Sequence, residues 1–271
     1  MTSPSSDTRF SGTVPKAYET YIVPLLFEPY AADLAARAKA LAPRRLLEIA
    51  AGTGIASCAL AAALPQSEIV ATDLNQAMLD LAARKAAGAN VAWRQADGLA
   101  LPFEDSSFDL AACQFGVMFF PDRVHGFREA RRVLKPGGRY LFNVWADVGA
   151  NDFAQAATLA LEARFPDDPP RFLMRTPYGH HNIAHLTRDL AAAGFADVEV
   201  ETVEKTGRAA SFRDPAIGFC QGSPLRAEIE ARDSAGLAAT TDAVAEALAE
   251  RFGRGPIEGR LRAHVFSAAR G

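Results

Sequence analysis

The chain has 271 residues, 49% of them apolar and 23% charged, which suits a globular protein large enough to bury a core without disulfide or metal staples. Its 29 Lys+Arg against 32 Asp+Glu give a net charge of −3, without the cationic excess a phosphate-backbone binder uses, so nucleic acid is not expected as a partner. Cys58, Cys113 and Cys220 are far apart and lack CxxC spacing, which argues against a disulfide framework or a zinc site and favours a reducing, cytoplasmic setting.

In chain order, residues 1–13 are rich in Ser, Thr and Pro, with no basic start leading into an apolar stretch; they read as a disordered tail rather than a secretory signal. From Lys16 to Ala42, Leu25, Leu26, Tyr30 and Leu34 recur at helical spacing, and Pro24 and Pro29 divide the segment into two or three short helices. Strand-like and helix-like runs then alternate: Arg45–Ala50 and Ile55–Leu64, Glu68–Thr72 and Gln76–Ala86, Val91–Gln95, Phe108–Cys113 and Arg123–Leu134, and finally Arg139–Trp145. The strand runs are nearly all apolar, as strands covered on both faces are, and the alternation predicts a doubly wound parallel sheet. Asn75 stands where it can cap the helix after Asp73, and Lys135-Pro136-Gly137-Gly138 reads as a turn before the next strand.

Beyond Trp145 the predicted elements are a helix Asp152–Arg164, a Pro-rich loop from Pro166 to Pro177, and a helix Ile183–Ala193 capped by Asn182 and closed by Gly194. A strand Ala196–Val203, helices Pro215–Gln221 and Leu225–Phe252, and a strand near Arg262–Ala268 follow. The longest nearly apolar run, Leu110 to Phe120, is about half the roughly 20 residues that cross a bilayer, so no membrane span is expected.

Leu46-Leu47-Glu48-Ile49-Ala50-Ala51-Gly52-Thr53-Gly54 runs from a buried strand through a glycine-rich turn into a helix, a geometry that lets the backbone approach a ligand. A dinucleotide site would have GxGxxG and seat a pyrophosphate on the helix N-terminus, but Ser57 replaces the third glycine. Glu48, at the strand end, would repel that pyrophosphate and attract a cation. Asp73 ends the next strand, where a carboxylate can accept from ribose hydroxyls, and Asp97 follows the third, where it can accept from an adenine amino group. Acids at successive strand ends suit a cationic nucleoside.

At this point the sequence resembles the class I S-adenosylmethionine-dependent methyltransferases, in the bacterial small-molecule branch of ubiquinone/menaquinone-type enzymes. The resemblance rests on LLEIAAGTG at Leu46–Gly54, ATDLNQAML at Ala71–Leu79, Gln95–Asp122, and REARRVLKPGGRYLFNVW at Arg128–Trp145. It implies a Rossmann-like, seven-stranded, mostly parallel sheet, with N-terminal helices and helical insertions forming a lid. One domain would span 14–271: a helical lid at 14–43, a cofactor-binding core at 44–146, and substrate-pocket insertions at 147–194 and 206–256. It also implies that Ala50, Gly52 and Gly54 face the methionine part of the cofactor, with Glu48 near its amino group. Asp73 would hold the ribose, Leu74 and Met78 the adenine face, and Asp97 and Gly98 its edge, while Gln114 and Phe115 would lie by the sulfonium. Where the family often has Gly, this chain has Ala50.

The expected reaction is in-line methyl transfer to a small cyclic or aromatic metabolite, with oxygen or nitrogen favoured as acceptor over a quinone-like ring carbon. A nicotinamide-dependent oxidoreductase and a non-catalytic cofactor-binding protein are the alternatives. Tyr21, Phe115, Met118, Phe172, Tyr178 and His181 are candidate acceptor contacts, aromatic and Met side chains suiting an apolar pocket. His180, His181, Tyr18 and Tyr21 are candidate bases should a hydroxyl be the acceptor. His181 and His185 have i, i+4 spacing, but the HExxH pattern is absent and no metal is expected.

Overall fold

The computed structural model describes Asp7 and residues 13–86 and 88–271, so most of the expected disordered tail lies outside the described residues. The first helical segment corrects the expectation of separate short helices. Helix α1 (Val14–Ala17), a π-helical run (Tyr18–Phe27) and α2 (Glu28–Leu41) follow one another without a break. Pro24 lies inside the π-helical run, whose wider winding has Glu28 N–H donating to the Val23 carbonyl, and Pro29 falls in the first turn of α2. The π-helical winding departs from the regular α-helical ladder that a proline interrupts, and the chain passes Pro24 and Pro29 without leaving the helical segment.

The alternating section folds as β1 (Arg45–Ile49), α3 (Ile55–Ala63), β2 (Glu68–Asp73), α4 (Gln76–Lys85), β3 (Val91–Gln95), β4 (Phe108–Gln114), α5 (Arg123–Val133) and β5 (Leu134–Trp145). Then come α6 (Asp152–Arg164), α7 (Phe172–Arg175), α8 (Ile183–Ala192), β6 (Ala196–Ala209), α9 (Arg213–Gln221), α10 (Leu225–Arg232), α11 (Leu237–Phe252) and β7 (Ile257–Ala269). The strands form one seven-stranded sheet in the order β3-β2-β1-β4-β5-β7-β6. Pairings from β3 to β5 are parallel. Strand β7 runs against β5, since Gly137 N–H donates to the Arg270 carbonyl while Ala146 N–H donates to that of Arg262. The mostly parallel doubly wound sheet is therefore present.

Several boundaries differ from the sequence reading, among them the short α7 inside the expected Pro-rich loop. The Lys135–Gly138 stretch lies within β5, where the register against β4 shifts and Gly137 takes φ +77°: it is a bulge in a strand, not a free turn. The expected helix Leu225–Phe252 is two helices, broken at Asp233–Gly236. Strands β6 and β7 extend to Ala209 and back to Ile257; their added length carries charged side chains, with Arg208 and Glu258 paired at 2.7 Å, so apolar patterning does not report it.

The chain divides into two compact units. The sheet unit comprises Tyr30–Val144, His181–Val203 and Ala263–Gly271. Its core includes Leu46, Leu47, Phe108 and Phe127, and Phe142 stacked on Phe266 at 4.8 Å. The second unit comprises the described residues up to Pro29, Trp145–His180 and Glu204–Arg262. Here α11 packs on α6 and α9, and Phe153 fills the space left by Gly207 and Gly259.

Candidate functional site

Strands β1 and β4 are neighbours, yet the chain continues from β1 toward β2 on one side and from β4 toward β5 on the other. Loops leaving such a switch point diverge, and a crevice opens at the carboxyl edge of the sheet. Both exits are conformationally costly: Ala50 after β1 has φ +58° and Phe115 after β4 has φ +51°. The left-handed region is unfavourable for residues with a Cβ, so the surrounding packing must hold them there. A Cβ on Gly116 would fall 2.6 Å from both Ala50 Cβ and Cys113 Sγ, so Gly116 makes room for the alanine. The Phe115 N–H donates to buried Asn143 Oδ1 at 2.9 Å, and its ring meets that of Tyr30 edge-on at 5.3 Å.

The glycine turn is tied to β2. Ala51 N–H donates to the Thr72 carbonyl at 2.8 Å, and Thr72 Oγ1 donates to the Glu48 carbonyl at 2.9 Å. Asp73 Oδ2 accepts from Gly52 N–H and Oδ1 from Asn75 N–H, each at 2.8 Å. Asp73 therefore shapes the turn as well as ending its strand. Asn75 occupies the N-cap position of α4 without a side-chain capping bond. Gly54, at φ +81°, has no room for a methyl, which would meet Ala82 Cβ and Trp93 Cη2 at 2.9 Å.

Glu48 is 1% exposed, and its Oε2 accepts from Ser57 Oγ at 2.5 Å. Burial pushes its carboxyl up to about 8; the Ser57 hydroxyl pulls it back and the nearby Asp73 adds to the rise. Asp73 is also raised by burial, against the amides of Asn75 and Gly52. Among the described residues no Lys, Arg or His pairs with either acid, and Ser57 is the sole hydrogen-bond donor to the Glu48 carboxylate. Buried carboxylates without a counter-cation are costly, and a ligand that brings a cation relieves the cost. Thr53 Oγ1, in the same turn, is buried without a hydrogen-bond partner among the described residues. The donor and acceptor set thus fits a cationic nucleoside.

All the residues expected at the cofactor lie in the sheet unit. Leu74 is 42% exposed, while Met78, on α4, is buried. Asp97 is exposed and its Oδ1 accepts from Leu99 N–H at 2.9 Å; a Cβ on Gly98 would meet the Phe120 ring at 2.9 Å. Gln114 is half-buried at the end of β4. The acceptor candidates are divided. Phe115, Met118 and His181 belong to the sheet unit, while Tyr21, Phe172 and Tyr178 belong to the second. Of the candidate bases, His181 lies in the sheet unit and Tyr18, Tyr21 and His180 in the second. The two histidines precede α8, which Asn182 caps by accepting from His185 N–H at 3.0 Å.

Sequence reasoning missed the roles of Ser57, Asn143 and Tyr30. Asn143 carried a usable signal, a lone amide in the apolar run Tyr140–Trp145. Ser57 did too, being read only as a missing glycine.

A profile of the methyltransferase domain family matches residues 47–142. The demethylmenaquinone methyltransferase of Deinococcus radiodurans is 46% identical over 107 residues, covering 39% of this chain and 44% of its own length. That of Staphylococcus aureus is 38% identical over 169 residues, covering 58% of this chain and 70% of its own. Apart from such matches, the chain spans about half the length of the curated relatives it matches. The fold is similar to that of Haemonchus contortus phosphoethanolamine N-methyltransferase 2 in complex with S-adenosyl-L-methionine, at 20% identity and a TM-score of 0.61, over 97% of this chain and 58% of that one.

Proposed function

We infer the function from family and site together: the chain belongs to the methyltransferase family that includes the demethylmenaquinone methyltransferases, and we propose that it transfers a methyl group from S-adenosylmethionine to a small cyclic acceptor. The observation that carries the reading is the pair of buried acids, Glu48 and Asp73, behind the glycine turn, with no cationic side chain paired to them among the described residues. Such a crevice disfavours a pyrophosphate and favours a ligand with a positive charge at one end and a ribose at the other. S-adenosylmethionine supplies a methyl group already activated by its sulfonium.

In this reading Glu48 holds the ammonium group, Asp73 the ribose hydroxyls, Leu74 and Met78 the adenine face, and Asp97 and Gly98 its edge. Ala50, Gly52 and Gly54 bring the backbone close to the methionine part, and Gln114 and Phe115 border the reacting sulfur. The protein's remaining task is to align the acceptor and keep water out. The names of the relatives favour a ring carbon of a quinone-like acceptor over oxygen or nitrogen. Such a carbon becomes nucleophilic when the neighbouring ring hydroxyl loses its proton, which Tyr18, Tyr21, His180 or His181 would take, and loss of the methylated carbon's own proton then restores the ring. Selection of the acceptor falls to 14–43, 147–194 and 206–256.

Calorimetry with S-adenosylmethionine, S-adenosylhomocysteine and NAD, followed by transfer from a labelled methyl donor to a panel of reduced quinones, phenols and amines, tests the proposal. Binding of both sulfur nucleosides and label on a ring carbon are expected. NAD binding without theirs would establish the oxidoreductase instead, and nucleoside binding with no transfer to any acceptor would leave a cofactor-binding protein.

A further inference from the structure

The bond between Ser57 and Glu48 joins the third residue of α3 to the strand before the turn, and both residues are almost wholly buried. Among the described residues Ser57 is the one hydrogen-bond donor to this carboxylate, and it reaches a single oxygen. Oε2 is taken by Ser57 Oγ, so Oε1 has no donor among the described residues. The groups that face the carboxylate from neighbouring elements are Asp73 on β2 and the Cys113 thiol on β4; neither brings positive charge. The Thr72 hydroxyl, close in the chain order of β2, bonds the Glu48 main-chain carbonyl and not its side chain.

We propose that Ser57 is a positioning residue for cofactor binding: by donating to Oε2 it fixes the Glu48 carboxylate with Oε1 presented to the ammonium group of an amino-acid-bearing nucleoside. The proposal rests on the S-adenosylmethionine reading above. A carboxylate restrained through one oxygen loses little further rotamer freedom when the other is bonded, and a hydroxyl donor stabilises the ionised form that a cation needs. The serine that breaks the dinucleotide glycine pattern thus has its own task. It makes the site selective for the amino-acid end of the ligand as distinct from the nucleoside end.

The test compares S-adenosylhomocysteine with 5′-methylthioadenosine, which keeps the nucleoside and thioether but lacks the amino-acid part. Affinities are measured by calorimetry from pH 6 to 8.5 on the wild type, Ser57→Ala and Ser57→Thr. In Ser57→Ala, S-adenosylhomocysteine binding is expected to weaken about tenfold, the scale of one hydrogen bond to a charged group. Methylthioadenosine binding should change less than twofold. The rise of S-adenosylhomocysteine affinity with pH should move to higher pH in Ser57→Ala and stay near the wild-type position in Ser57→Thr, which keeps the hydroxyl. Equal weakening of both ligands would mark a distorted turn and overturn the proposal, as would unchanged S-adenosylhomocysteine affinity with an unmoved pH profile. Should Ser57→Ala fail to fold, Ser57→Cys, of similar size but a weak donor, takes its place: selective weakening of S-adenosylhomocysteine with its pH profile moved upward supports the proposal, and unchanged binding or equal weakening of both ligands overturns it. Failure of the wild type to bind either ligand would instead bring down the methyltransferase reading itself.

Discussion

Both charged side chains buried among the described residues, Glu48 and Asp73, lie in the sheet unit, whereas the buried polar side chains of the second unit are amides and hydroxyls: Asn151, Thr158, Thr176, Ser223, Thr240 and Thr241. Several acids of the second unit pair with arginine, as Asp7 and Glu228 do with Arg175, and Asp152 with Arg251 and Arg260. Exposed pairs of this kind cost little and contribute little. An unpaired buried acid costs much more and has to be held by the fold around it. The difference separates a unit that stores electrostatic cost at the candidate site from one built by packing. The methyltransferase profile, 47–142, falls within the first.

The largest expected effect tests the stored charge directly. Glu48→Gln should weaken S-adenosylhomocysteine binding at least thirtyfold at pH 8, on the scale of losing a desolvated charge partner. Affinity within threefold of the wild type would remove Glu48 from the site. The same acid should make the unliganded protein pH-sensitive. Its carboxyl is raised from 4.5 to about 8, so between those values the folded chain keeps a proton that the unfolded chain has released. Stability therefore falls as pH rises from about 5 to 8, by up to roughly 1.4 kcal/mol per pH unit, with Asp73 adding in the same direction. Urea denaturation at pH 5.5, 6.5 and 7.5 should show this decline in the wild type and a shallower one in Glu48→Gln. A wild-type stability that climbs over the window would contradict the buried, unpaired state of the acid.

Smaller effects sharpen the division. Asp73→Ala should cost about 1–3 kcal/mol of cofactor affinity by removing the proposed ribose acceptor and loosening Gly52; calorimetry that finds no loss would leave Asp73 a purely structural residue. Ala50→Gly should raise stability by about 1 kcal/mol, because φ +58° suits glycine. A lower melting temperature in that variant would show that the alanine methyl against Gly116 outweighs the backbone strain. In the second unit, Tyr178→Phe should shift the acceptor KM a few-fold and leave S-adenosylhomocysteine affinity within twofold. A fall in that affinity as large as that of Asp73→Ala would break the assignment of cofactor binding to the sheet unit alone.

The two units were also unequally legible. Strands β1 to β4 and the helices between them were read to within a residue or two, since apolar runs, a glycine turn and caps are local signals. The continuous helical segment through Pro24 and the long charged ends of β6 and β7 were not, because local chemistry opposes or hides them. In the site, the acids and glycines were legible from their place after strands. The partners that orient them were not, being set by residues that meet only after folding.

The sequence by itself determined that a glycine turn would follow a buried strand bearing Glu48, and that Asp73 and Asp97 would end the next strands, because strand period and turn chemistry are encoded within a few residues. Only the tertiary structure decided that Ser57 would donate to Glu48, that Asp73 would fasten the turn through Gly52, and that Asn143, 28 residues away, would hold Phe115 in a left-handed conformation. Those pairings depend on strand register and helix docking, which bring distant backbone and side chains to hydrogen-bonding distance and which no local pattern specifies.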